Sequence, residues 1–416
     1  MKTSRTIIYV LALTLLIASL WGCANREDES EQQTDRNSET SSESLVTDRR
    51  IVESQETTPQ ASPSNAPPKT EQEVGNTDNS VPEQAILARR NTDPPQEREP
   101  LSGPWVCTLT LGPIGASPAA ARLLLLPDPN NWTDADAYPL YEKAIGGLGP
   151  DVPVQRLADW LRIDGPGFPV EEAIETLAPF DLPLAQLELA SKCSQCAWPK
   201  VKVGEMVPHL TELRHLIFLV ALKARIQIEQ RRFAEAAASL QVGMVLAYHL
   251  GQAPLVIQGM VASAMESVLG RQLRQWVQTP GGPSLYGAIA AMPPSLVDID
   301  RQFKYEADHL SFLQRLMYKQ TKKQILDPAQ ARTLFLQKIA NRGLAALQTV
   351  EALRHYASTH QGRFPQTLAE LTLAVPNDPT TGQPFVYRFE QGTAIIESTP
   401  KEASPRESLQ YILRWP

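Results

Sequence analysis

A run of apolar residues at helical spacing, between residues 208 and 278, constrains the fold of this chain more than any other feature. Leu216 and Val220 lie four residues apart, and their neighbours continue the steps of three and four that place apolar side chains on one helix face. The pattern stops near Arg231 and again at Gly251, so the segment divides into three consecutive helices. Three adjacent helices of this kind predict a mainly α fold built from helical hairpins.

Shorter helical patterns precede this segment and longer ones follow it, with Pro and Gly between them. Their expected ranges are 134–147, 154–161, 170–177, 182–190, 284–291, 295–326 and 328–359. In the last of these helices, Leu347, Val350 and Leu353 share the side that we expect to be buried.

The pattern changes after the last helix. Gly362 is expected to end that helix in a left-handed conformation, and a short helix is expected at 365–371. Alternating residues then predict strands, at 385–389, 393–397 and 409–415. The predicted fold class is therefore mainly α: a helical hairpin array followed by a small α+β C-terminal head with an antiparallel meander.

The N-terminal segment has the layout of a secretory signal peptide. Lys2 and Arg5 give it a basic start, and an apolar run follows. The run ends in LWGC at residues 20–23, which resembles the lipobox of bacterial lipoproteins. That resemblance implies cleavage before Cys23, acylation of this cysteine and a stable membrane anchor. A single transmembrane helix is the alternative, but a run of about 14 apolar residues is short for a bilayer.

Residues 24–104 contain no Phe, Trp or Tyr and carry 17 acidic and 8 basic residues. Such a segment buries too little apolar surface to offset its ordering entropy, so we expect a disordered acidic spacer. Residues 105–416 hold 29 residues of each sign, a net charge of zero. This balance gives no electrostatic reason to bind nucleic acid.

The chain therefore divides into four predicted parts. They are a lipoprotein signal peptide (1–22), lipidated Cys23 with the disordered acidic spacer (23–104), an all-α helical domain (105–340) and an α+β head (341–416). In the lipoprotein family, Ala24 rather than Asp after the cysteine favours the outer membrane over the inner one.

Cys193 and Cys196 form a CxxC motif in the exported part, where disulfides are permitted. A zinc site would need two further ligands at suitable spacing, and the sequence has no second CxxC or HxxxH. A thioredoxin-like site would follow a strand and open a helix, whereas Pro183 and Pro199 bracket a loop here. We expect a local disulfide or buried thiols in preference to redox chemistry.

The sequence has no Gly-rich phosphate loop, nucleophile elbow or metalloprotease helix. His355 and His360 lie five residues apart across a helix end, and Asp308 precedes His309 on a predicted helix. Both pairs are better explained as surface residues than as a metal site or an acid–base pair. No catalytic residue, metal ligand or cofactor is predicted.

A basic patch is the sharper surface feature. Arg315, Lys319 and Lys322 follow at helical spacing on one face, with Lys323 beside them. The patch is a candidate docking site for an acidic partner or an anionic envelope polymer. The simpler interpretation is a solvated face with lysines well placed at the helix C-terminal dipole.

Residues 221–247 resemble a single tetratricopeptide-like helical hairpin, on Ala224 and the string RFAEA at 232–236. The wider segment 135–300 looks like an uncharacterised family of exported bacterial helical proteins. Three features carry that likeness: the helix around Tyr138 and Tyr141, the string CAWP at 196–199 and the string LGQAP at 250–254. These resemblances imply a helical fold and bring no activity with them.

The strings HQGRFPQTLAEL (360–371) and NDPTTGQPFVY (377–387) resemble the globular head of the major pseudopilins of type II secretion. The resemblance implies a long helix, a Gly stop, an Asp-Pro turn and a hairpin packed on the helix. Because a soluble domain precedes the long helix here, and 398–408 lacks a Gly/Asp-rich loop, it implies a fold rather than filament assembly or calcium binding.

Together these features favour a lipid-anchored envelope protein that acts as a binding or scaffolding module, beside a secretion or envelope-assembly machine. Its expected partners are the membrane, through the anchor, and envelope or secretion proteins, with no nucleic acid. The main alternative is an envelope hydrolase whose site is dispersed within the helical domain. A deep polar pocket with converging, perturbed carboxylates or histidines would favour the enzyme, and a shallow apolar groove would favour the binding module. A redox role for Cys193 and Cys196 is a third hypothesis.

Overall fold

The computed structural model describes residues 105–115, 123–165, 167–310, 327–400 and 407–416. The predicted signal peptide, Cys23 and the spacer lie outside the described residues, and so does the basic patch of Arg315, Lys319, Lys322 and Lys323. Among the residues that are described, helices predominate and one small sheet lies near the C-terminus. The predicted class, mainly α with a small α+β head, is confirmed.

The helices are α1 (Tyr138–Gly146), α2 (Val154–Trp160), α3 (Val170–Leu177), α4 (Asp181–Ala190), α5 (Leu210–Glu229), α6 (Phe233–Gly251), α7 (Val256–Gln278), α8 (Tyr286–Ala290), α9 (Ile299–Asp308) and α10 (Asp327–Thr359). The strands are β1 (Trp105–Thr110), β2 (Thr133–Asp136), β3 (Cys193–Gln195), β4 (Val386–Glu390), β5 (Thr393–Ser398) and β6 (Leu409–Arg414).

Helices α5, α6 and α7 pack against one another and form the centre of the molecule. Between α5 and α6 the chain reverses at Arg231, which adopts a left-handed conformation (φ 57°) that glycine more often supplies. Close packing depends on Gly243, because a Cβ there would lie 2.8 Å from a methyl carbon of Leu269 on α7. The three helices predicted between residues 208 and 278 are thus confirmed.

The four-stranded sheet has the order β1-β6-β5-β4. Strands β4, β5 and β6 form the predicted antiparallel meander. Strand β1 then adds to β6 in parallel, from Trp105 beside Leu409 to Thr110 beside Arg414. Strand β1, the first strand in the described ranges, therefore forms one edge of the sheet, beside β6, the last strand in the chain order. The predicted boundary at residues 340 and 341 lies inside α10.

Three local predictions are wrong. Residues 134–136 form the end of β2 instead of the start of a helix, since the Asp136 carboxylate accepts hydrogen bonds from Tyr138 N (3.0 Å) and Ala197 N (2.8 Å). The helix predicted over 295–326 ends at Asp308, where His309 Nδ1 lies 2.8 Å from the Tyr305 carbonyl oxygen. The helix predicted at 365–371 is only a short 3-10 turn, Leu368–Glu370.

One buried ion pair joins α10 to two loops. Arg354 and Glu351 are fully buried, and Arg354 Nη1 donates to Glu351 Oε1 (2.7 Å). The same guanidinium donates to the carbonyls of Gly112 (2.7 Å) and Gly282 (2.6 Å). The other carboxylate oxygen of Glu351 accepts from Ser284 Oγ and Leu285 N, both at 2.9 Å.

We expect Arg354→Met to lower the free energy of unfolding by about 3–5 kcal/mol, because it leaves the Glu351 carboxylate buried without a counter-charge. Chemical denaturation of the full chain measures the loss. Arg388→Met is the matched control, since Arg388 is half exposed and its 2.6 Å contact with Glu397 is a surface ion pair. That control should change stability by less than about 1 kcal/mol. Equal losses in the two variants would contradict the prediction.

Candidate functional site

A cavity of about 190 Å³ lies between the helical region and the sheet. Its walls come from α2, α5, α7 and α10, and from the paired strands β1 and β6. Apolar side chains cover most of its surface. They are Ala158, Leu161, Ile217, Phe218, Ala264, Met265, Val268, Ile339, Ala340, Leu344, Leu347 and Leu409.

The charged side chains that line the cavity are mostly arginines. These are Arg162, Arg214, Arg271, Arg274 and Arg342, and the acidic residue among the lining is Glu266. Two of the arginines have fixed positions. Arg342 Nη1 donates to Ser398 Oγ (3.2 Å) and to the Glu407 carbonyl (2.7 Å), and the Arg274 guanidinium lies 5.4 Å from the centre of the Trp105 ring. The lining therefore combines apolar side chains with several guanidinium groups.

Three polar atoms on lining residues are buried without a hydrogen-bond partner among the described residues. They are Glu266 Oε2, Gln272 Oε1 and Trp105 Nε1. Glu266 is 4% exposed and Gln272 is fully buried. A buried polar group without a partner costs about 1–3 kcal/mol, so native proteins seldom keep one. All three atoms belong to residues that also line the cavity.

Two helix-interior glycines keep this space open. Gly270 on α7 and Gly343 on α10 both line the cavity, and a Cβ at either would meet no atom within 4 Å. Neither has a positive φ, so the backbone does not require glycine there. A glycine inside a helix costs about 0.5–1 kcal/mol relative to alanine. Open space, rather than backbone geometry, is what these two residues provide.

Burial raises the pKa of Glu266 to about 7, because the ionised carboxylate loses its hydration there. The folded state consequently binds more protons than the unfolded state between pH about 4.5 and about 7. Stability therefore falls as pH rises through this window.

We expect Glu266→Gln to remove this part of the pH dependence. Relative to the native chain, the variant should gain about 3 kcal/mol between pH 4.5 and pH 7.5, since the native carboxyl must ionise in a buried site over that range. Urea denaturation at pH 4.5, 6.0 and 7.5 measures the difference. Parallel pH profiles for the two proteins would show that Glu266 is not held protonated.

The CxxC residues lie in a second polar cluster, around His249. His249 Nε2 lies 3.1 Å from the Cys193 carbonyl oxygen, which only accepts, so Nε2 carries the proton and Nδ1 accepts from the Tyr141 hydroxyl (2.8 Å). Trp198 stacks on Tyr141 and donates from its indole nitrogen to the His249 carbonyl (2.8 Å). Burial lowers the pKa of His249 to about 4. These satisfied contacts join α1, α6 and the CAWP loop.

The sulfurs themselves do not form a reactive pair in this structure. Cys193 is buried, Cys196 is half-buried, and no disulfide joins them. Burial, reinforced by the Asp136 carboxylate, raises the pKa of both Cys193 and Cys196. A redox-active cysteine has the opposite shift, because the thiolate is the reactive form. A local disulfide and buried thiols both stay predictions for this pair.

His309 and His360 each lie directly after the last residue of a helix. The His360 ring stacks on Tyr356 and its Nδ1 lies 2.8 Å from the Tyr356 carbonyl oxygen, as His309 does with Tyr305. Within the described ranges, no group of three or more His, Cys, Asp or Glu side chains is placed to hold a metal ion. No helix in that part of the chain is both long enough and apolar enough to cross a membrane.

The sequence analysis did not predict the cavity. The residues that could have indicated it are Gly270 and Gly343, inside helical patterns, and Glu266, in a stretch otherwise typical of a buried helix. Each becomes meaningful only when α7 and α10 are placed side by side.

Comparison with protein-family models, with curated proteins and with solved structures finds no match for this chain.

Proposed function

We propose that this protein is a lipid-anchored binding module of the bacterial envelope, and that the cavity between α7 and α10 is its ligand site. The anchor is Cys23, the acidic segment 24–104 is the spacer, and the outer membrane is its expected location. The association with secretion or envelope-assembly proteins belongs to the same proposal. The single observation that carries the ligand site is a mostly apolar cavity that Gly270 and Gly343 leave open.

The alternative, an envelope hydrolase, receives less support from the same cavity. Among the described lining residues there is no His, Cys or Asp to act beside Glu266. Ser267 is present, but its hydroxyl donates to the Ser263 carbonyl (3.0 Å) within the helix. Hydrolytic sites bring together a nucleophile or activated water, a base and a group that stabilises the developing charge. One carboxyl with a raised pKa falls short of that set.

The anchor predicts a specific chemical modification. The native chain should incorporate an alkyne-tagged palmitate during growth, and Cys23→Ala should lose the label completely because the acylated thiol is absent. Cys107→Ala is the control and should keep the full label. Mass spectrometry of the N-terminal peptide should locate the acyl chains on residue 23. Equal labelling of the native chain and Cys23→Ala would refute the anchor.

The ligand site predicts that filling the cavity abolishes binding without unfolding the protein. A leucine at position 343 has open space for its side chain, and helix propensity improves when glycine is replaced. Gly287→Leu makes the same change at an exposed helical position with no atom nearby. Hexan-1-ol should raise the Tm of the native chain and of Gly287→Leu but leave that of Gly343→Leu unchanged. Equal Tm shifts in all three proteins would place the binding elsewhere.

A further inference from the structure

The volume of the cavity limits the size of a ligand. The space measures about 190 Å³, and an apolar protein cavity of about 150 Å³ takes a benzene-sized molecule. A molecule of about six to eight carbons fits such a space, and a full-length fatty acyl chain does not.

The guanidinium groups on the lining already interact with other groups of the protein. Arg162 Nη1 donates to Asp159 Oδ1 (3.1 Å), and Arg342 Nη1 donates to the Glu407 carbonyl oxygen (2.7 Å). The remaining three, which also have interactions within the protein, are Arg214, Arg271 and Arg274. An anion in the cavity would have to compete with these contacts, so the arginines do not favour an anionic ligand.

The unpartnered polar atoms of the lining residues are closed to a ligand as well. Glu266 Oε2, Gln272 Oε1 and Trp105 Nε1 have practically no accessible surface, so a molecule inside the cavity cannot form hydrogen bonds with them. The surface that the cavity does present to a ligand is mostly apolar.

Glu266 does not favour a cationic ligand either. Burial raises the pKa of this carboxyl to about 7, so at pH 6 most of it is uncharged. An uncharged carboxyl lacks the negative charge that would attract an ammonium group.

From these observations we infer that the ligand is a small uncharged apolar molecule, a single hydrocarbon ring or a chain of similar size. The inference rests on the proposed function, because it names the class of ligand for the same cavity. An apolar molecule gains free energy when its surface leaves water. An ionised or hydrogen-bonding group that enters the cavity loses its hydration and meets mostly apolar walls, which weakens its binding.

Four probes that share a benzene ring and one attached carbon separate the ligand classes: toluene, benzyl alcohol, benzoate and benzylammonium. Each is titrated calorimetrically into the full-length protein in lipid nanodiscs at pH 6. Gly343→Leu in the same nanodiscs serves as the background, because it reports uptake by lipid alone. We expect toluene to bind at least about 10-fold more tightly than benzyl alcohol, and the two ions to bind more weakly still.

Failure of this inference and failure of the ligand site give different results. If benzyl alcohol, benzoate or benzylammonium binds within about 10-fold of toluene, or more tightly, the uncharged apolar assignment is overturned and the ligand site remains in place. If no probe binds above the Gly343→Leu background, the ligand site is overturned as well.

Two further variants test where toluene binds. Gly270→Leu fills the same space from α7 and should also lose toluene binding, because a side chain there meets no atom nearby and occupies the cavity. Gly287→Leu is the control and should keep the affinity of the native chain. The Tm of each variant without a probe checks that it is folded. Unchanged toluene affinity in folded Gly270→Leu would place the bound molecule outside this cavity and overturn the assignment.

Discussion

The ion pair between Arg354 and Glu351 is the contact on which the arrangement of the unit depends. Burying two charges is costly, and it succeeds only where the remaining hydrogen-bonding atoms also find partners. Here those partners are the carbonyls of Gly112 and Gly282, the Ser284 hydroxyl and the Leu285 N–H. One side-chain pair on α10 thereby fixes the chain after β1 and the turn after α7, and with them three of the elements that surround the cavity.

Periodicity predicted the long elements because burial of one helix face is a local signal. The helices α5, α6, α7 and α10 and the meander of β4, β5 and β6 follow directly from spacing that can be counted along the chain. The pairing of β1 with β6 could not be predicted this way, since Trp105–Thr110 is a short strand and its partner lies at the other end of the unit. Strand β2 was missed because one side chain, Asp136, decides where the following helix begins.

The site was beyond sequence analysis for a different physical reason. A cavity depends on the distance between packed helices, and no residue pattern in the sequence predicts that distance. Considered alone, Gly270 and Gly343 are glycines that slightly destabilise the helices that contain them. Once α7 and α10 lie together, the same two residues line one cavity, and Glu266 lines it too. The predicted thiol and histidine positions, by contrast, proved to have structural contacts of their own.

The parallel pairing of β1 with β6 also bears on how the molecule is made. The two strands lie about 300 residues apart in the chain, so closing this contact requires a large loss of chain entropy. Trp105–Thr110 precedes the described helices in the chain, and Leu409–Arg414 follows them. Contacts within the helical region are closer in sequence and can form first, so one wall of the cavity is completed only when β6 pairs with β1. A chain that ended before Leu409 would therefore keep its helices and lack one wall of the cavity.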